Sequence, residues 1–225
     1  MRGRILGVLR ALDDHAARRP VLAGLAIAAA VAIAAVAWFG SAALGGRFLL
    51  DTSLGQDIYH LSALYERHAH YALGGRFPFW LPEFQGGVAA PATWMYGLLY
   101  PPVLLFGLIP AQLAWSWLAV LHLALAAGGM FALVFDERRD VTGAATAAAL
   151  FALSELMVGR VLCGHLNLVL AIAWIPWVLW LVGRAVAGRP GAVAWLGLVT
   201  GVGLVSGHVQ IWFYAGPLVG LHAVN

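Results

Sequence analysis

Lysine is absent from the 225-residue chain, and all 13 basic residues are arginine. That absence matches a GC-rich genome as well as any mechanism, so it carries no functional weight. Cysteine is nearly absent too. The single Cys163 excludes an internal disulfide framework and a paired-cysteine metal site. Charge is scarce: charged residues make up 10% of the chain, against roughly 25% in a soluble domain. Apolar residues take its place. The hydrophobic fraction is 62%, the mean hydropathy is +0.86, and there are ten tryptophans. Long charge-free runs of this kind point to an all-α, polytopic transmembrane helical bundle. A net charge of +3 and a pI near 9.4 would suggest nucleic acid for a soluble protein. Here the arginines flank apolar segments, where they set orientation, so no nucleic-acid partner is expected.

The spacing of charge divides the chain. Residues 1–19 form an Arg-rich tail with Arg2, Arg4, Arg10, Arg18 and Arg19, and no ionisable residue follows until Arg47. The apolar stretch after the tail is long enough to span a bilayer, and exceeds the core of a cleaved signal peptide. It reads as an uncleaved anchor, span one, over residues 20–44. Residues 45–111 are expected to be a large loop holding Asp51, Asp57, Glu66 and Glu83. Prolines at 91, 101, 102 and 110 cut up its second half, so residues 97–109 read as a short, partly inserted segment. Residues 112–225 hold the other five spans, at about 112–135, 141–160, 166–186, 191–206 and 209–225. With a single crossing at 112–135, the DERRD loop (residues 136–140), Arg184 and Arg189 share the side of the N-terminal arginines. The positive-inside rule favours that parity. It places the N-terminus in the cytoplasm of a bacterial inner membrane and the 45–111 loop outside. The chain stops at Asn225 inside apolar sequence, so it is expected to be the N-terminal part of a longer protein.

The candidate chemistry lies on that outer side. DIYHLSALYERHAHYAL (57–73) has helical periodicity, with Ile58, Leu61, Tyr65, Ala69 and Ala72 on one stripe and His60 and Arg67 opposite. The pattern predicts an amphipathic helix lying in the membrane interface. Asp57 opens it. A carboxylate there serves either as a helix cap or as a general base or cation ligand at the membrane surface. His60 is one turn away, so Asp57 and His60 are candidates to share a divalent cation, Mg or Mn, or a proton. His68 and His70 read as interfacial polar residues.

Two later segments echo one another. CGHLNLVLAIAWIPW (163–177) and SGHVQIWFYAGPLVG (206–220) each carry Gly-His, an amide two residues on, and an aromatic span with a proline. His165 with Asn167 and His208 with Gln210 are therefore candidates for one shared site. Each histidine alone is as readily a helix cap. His122, in mid-span, reads as a helix–helix hydrogen-bond partner. Glu155 is a candidate second acid, with Arg160 one turn on to neutralise it. Trp174, Trp177, Trp180, Trp212 and Tyr214 read as packing and interface residues.

The ordered series of Asp57, GGRFPFWLPEFQGG (74–87), LLYPPVLLFGLIP (98–110), LHLALAAGGM (121–130), GHLNLVLAIAWIPW (164–177) and GHVQIWFYA (207–215) resembles the YfhO-type branch of the GT-C membrane glycosyltransferases. The likeness covers roughly residues 50–220. One departure is Leu81, where that family often carries Asn. The resemblance implies a GT-C-like fold and transfer of a sugar from a polyprenyl-phosphate donor to an envelope glycan or lipid acceptor at the outer face. By position it implies that Asp57 is the base or metal-proximal acid. The donor phosphate needs cationic or hydrogen-bonding partners, and Arg67, Arg76, Arg160, His165 and His208 are the outer-face candidates. A lipid or solute transporter is the alternative, since broken helices also line permeation paths. So is a non-catalytic membrane fragment.

Overall fold

The computed structural model describes residue 7 and residues 18–39, 57–77, 79–84, 86–92 and 94–224. Most of the Arg-rich tail, the end of the first expected span and Asp51 lie outside the described residues. Among those described, the chain is helical, with one antiparallel bridge between Leu81 and Val88 in place of any sheet.

Helix α1 (Pro20–Phe39) and helix α3 (Ala111–Arg138) pack side by side, with α2 (Asp57–Leu73) between them in sequence. Small residues allow the close approach. A Cβ on Gly24 would lie 3.3 Å from the Phe131 ring, and one on Gly128 would lie 3.9 Å from the Ala28 Cβ. Among apolar helices such small-residue seams replace the hydrophobic driving force that hydrocarbon surroundings remove.

The DERRD loop is a tight helical hairpin. Arg139 closes α3 in the left-handed conformation, at φ 55°. Asp140 then caps α4 (Val141–Ala152) by accepting from the Thr142 and Gly143 amides, each at 3.0 Å. Two satisfied donors at a helix start stabilise it by about 0.5–2 kcal/mol. The third expected span is not one regular helix. It breaks after Ala152 into a π-helical turn, Glu155–Gly159, and then the short α5 (Arg160–Leu162). The Ser154 hydroxyl holds the break by accepting from the Met157 amide. The fourth is split as well, into α6 (Leu166–Ile172) and α7 (Ile175–Val186), with Pro176 in the first turn of α7. Proline is tolerated there because the first-turn amides have no partner inside the helix.

Among the described residues, four helical stretches are long and apolar enough to cross a membrane: 20–37, 111–138, 141–162 and 166–186. The fifth and sixth expected spans are shorter apolar helices, α8 (Ala192–Val205) and α9 (Val209–Val224). Six spans is therefore more than the helix lengths support.

The 97–109 segment forms a 3-10 helix at Pro101–Gly107, and α2 packs its apolar face onto it. Ile58, Leu61, Leu64, Tyr65 and Ala69 are buried, and Tyr65 meets Phe106 with ring centroids 5.1 Å apart. Each such large apolar side chain contributes about 1.5–3 kcal/mol of burial. The stripe seen in the sequence thus covers protein. His68, expected at the interface, is instead buried edge-on against Phe77 at 6.0 Å, and desolvation pushes its pKa down.

Candidate functional site

The first turn of α2 brings Asp57 to the turn before α6. His165 Nε2 lies 3.1 Å from Asp57 Oδ2, and Arg160 Nη1 lies 3.3 Å from His165 Nδ1. A guanidinium only donates, so in the neutral ring Nδ1 accepts and Nε2 carries the proton that Asp57 receives. The three groups form a directed chain from Arg160 through His165 to Asp57. Asp57 keeps 66% of its side chain exposed, while His165 keeps 28%. The carboxylate is therefore oriented from one side and open on the other.

Glycine makes this approach possible. Gly164 has φ +78°, and a Cβ there would stand 3.0 Å from the Ile58 amide nitrogen, next to Asp57. Gly207 has φ +137°, and its Cβ would stand 3.0 Å from the Asn167 carbonyl oxygen. The two Gly-His pairs are thus two close-packed turns. The first rests on the start of α2 and the second on the start of α6.

His208 completes the group. It has φ 33°, a left-handed conformation that costs a non-glycine residue about 1–3 kcal/mol. Burial lowers its pKa most, and the nearby His165 and Arg160 lower it further. Its Nδ1 is buried with no hydrogen-bond partner. One carbonyl ties the turns together: Met95 O accepts from Asn167 Nδ2 at 3.0 Å and from the His208 amide at 2.9 Å. Sequence reasoning missed Met95 because a backbone carbonyl leaves no trace in residue type.

The other candidates fall elsewhere. His60 faces Phe84 and Tyr96, at ring centroid distances of 5.9 and 6.2 Å, and lines a cavity of about 240 Å³ with them. Asp57 finds its partner in His165, and no group of three or more metal-ligating side chains occurs among the described residues. Arg67 pairs with Glu83, Nε to Oε1 at 2.9 Å, and Tyr71 donates to the same oxygen at 2.9 Å. Arg76 is exposed in the turn after α2. Gln210 donates along its own helix to Tyr214, so the two amides of the echo play different parts. Glu155 is exposed in the π turn, and Arg160 reaches His165. No ion pair joins Arg160 to Glu155 among the described residues.

A second polar cluster braces the middle of the bundle. His122 Nδ1 donates to Leu118 O at 2.7 Å, so its Nε2 accepts from the Tyr100 hydroxyl at 2.8 Å. Trp174 donates to the same hydroxyl at 3.2 Å, and burial pushes the Tyr100 pKa up to about 12. The expected partner of His122 is thus a tyrosine ahead of the 3-10 helix. No family model matches the chain, and no curated protein or solved structure shows significant similarity to it.

Proposed function

We propose that the chain is a membrane glycosyltransferase of the GT-C type, drawing on a polyprenyl-phosphate sugar at the membrane surface. The observation that carries this reading is the Arg160–His165–Asp57 chain, which leaves an oriented and exposed carboxylate beside cationic and imidazole donors. In the proposed step Asp57 takes the proton of an acceptor hydroxyl. The acceptor oxygen bonds to the anomeric carbon, the carbon–oxygen bond to phosphate breaks, and polyprenyl phosphate leaves. General-base assistance of this kind contributes about 10²–10⁴-fold. Arg160 and His208 are the groups to meet the charge that builds on the departing phosphate. The acceptor class is an envelope glycan or a lipid. His165 Nε2 engages one oxygen of Asp57, and the proposal routes no step through a metal.

A second reading draws on the interruptions at Ser154 and Ala173, since broken helices also line transport paths. Proteoliposomes supplied with short-chain polyprenyl-phosphate sugars and hydroxyl acceptors separate the two. Release of polyprenyl phosphate by the wild type and its loss in Asp57→Asn support transfer. Absence of release with every sugar, together with solute flux that Asp57→Asn leaves intact, supports transport.

A further inference from the structure

The end of the bundle away from Asp57 carries a different site. His165 precedes α6 and Arg184 lies in the last turn of α7, so the rise along the two successive helices separates the two ends by up to about 28 Å. At the Arg184 end, α1, α3 and α7 enclose a groove of about 670 Å³. Its wall is apolar over most of its length, with Leu25, Ala28, Leu121, Ala124 and Trp177 facing it. From Leu121 to Asp136, α3 rises about 22 Å, more than the roughly 15 Å of hydrocarbon in one leaflet.

The mouth of the groove is charged. Asp136 Oδ1 accepts from Arg139 Nη2 at 2.9 Å, and its Oδ2 accepts from Arg184 Nη1 at 3.3 Å. One carboxylate therefore gathers two guanidiniums, and the trio carries a net positive charge. Each guanidinium has five N–H donors and gives one to Asp136. Their planes are held by the groove's own rings, Arg184 over Trp180 at 5.0 Å and Arg139 over Phe135 at 5.8 Å. The neighbouring acids have other partners. Asp140 caps α4, and Glu137 faces His222 at 3.9 Å.

We propose that this groove holds an acyl chain of an anionic phospholipid, with the lipid phosphate against Arg139 and Arg184. The occupant follows from charge complementarity at the mouth and apolar length behind it. Guanidiniums match phosphate oxygens in a forked geometry. A zwitterionic headgroup brings its own cation to the same two arginines and is held less well.

The test compares phosphatidylglycerol with phosphatidylcholine of identical acyl chains on the full chain in detergent, by native mass spectrometry. The wild type is expected to retain phosphatidylglycerol at least tenfold better. The double variant Arg139→Gln, Arg184→Gln should hold both lipids equally, at the phosphatidylcholine level. Leu25→Trp, at an exposed position on the groove wall, should weaken both. Equal retention of the two lipids by the wild type overturns the proposal, and needs no variant to fold. So does a phosphatidylglycerol preference that survives in the double variant, or a dimer that excludes lipid from the groove.

Discussion

Asp57 and His165 come from distant parts of the chain and meet at 3.1 Å, with Arg160 behind the imidazole at 3.3 Å. The contact settles how the first turn of α2 is aimed. It also turns a helix-opening carboxylate into one whose orientation is fixed from a second helix.

Removing the links of this chain should have graded effects. Asp57→Asn is expected to lower transfer by about 10²–10⁴-fold with the fold intact. His165→Ala should cost less, because Asp57 keeps its charge and loses only its orientation. Turnover measured side by side checks the order, and equal losses would contradict it.

The arginines should separate sharply. Arg160→Gln is expected to weaken retention of a polyprenyl-phosphate donor, while Arg67→Gln should leave it unchanged, because Glu83 already engages Arg67 at an exposed position. Donor titration by intrinsic tryptophan fluorescence reads both.

Gly164→Ala places a Cβ 3.0 Å from the Ile58 amide and forces φ +78° on alanine. A loss of about 1–3 kcal/mol in stability is expected, together with reduced turnover. Gly197→Ala, inside α8, where nothing beyond the local helix backbone lies within 4 Å of the added Cβ, should be neutral or slightly stabilising. Thermal unfolding in detergent compares the two.

His208 holds a strained backbone at φ 33°. His208→Gly should relieve strain of about 1–3 kcal/mol against roughly 0.5–1 kcal/mol of added chain entropy, a net gain in stability, while weakening donor retention. A variant that gains stability and keeps its donor would mean that the strain serves the fold alone.

Stability should depend on pH through His68 and His208. Both have folded pKa values below the ordinary 6.5, with desolvation the leading cause. As pH falls past 6.5 the unfolded chain takes up protons that the folded chain resists, so stability is full above 6.5 and declines below it. His68→Leu should flatten part of that decline in thermal scans taken from pH 8 to pH 5.

Much of the framework is legible in the sequence because membrane-length apolar runs leave little choice of fold. The helices at 20–39, 111–138 and 57–73 follow directly from hydropathy, proline position and a period of 3.6. The breaks at Ser154 and Ala173 do not, since apolar sequence reads the same whether a helix continues or turns. The Gly-His echo falls on two turns that meet across Asn167 and Met95. It could not show that Asn167 reaches Met95 while Gln210 stays on its own helix, because those partners are set by packing. Helical spacing pairs His60 with Asp57, yet its ring lies among Phe84 and Tyr96. Spacing along one helix places neighbours, while contacts across helices decide which neighbour matters.

The most direct measurement identifies the lipid that co-purifies with the wild type, with Asp57→Asn, and with the double variant Arg160→Gln, His165→Ala. A polyprenyl-phosphate sugar is expected on the wild type, enriched on Asp57→Asn because turnover stops, and depleted on the double variant. Bulk phospholipid alone on all three would contradict it.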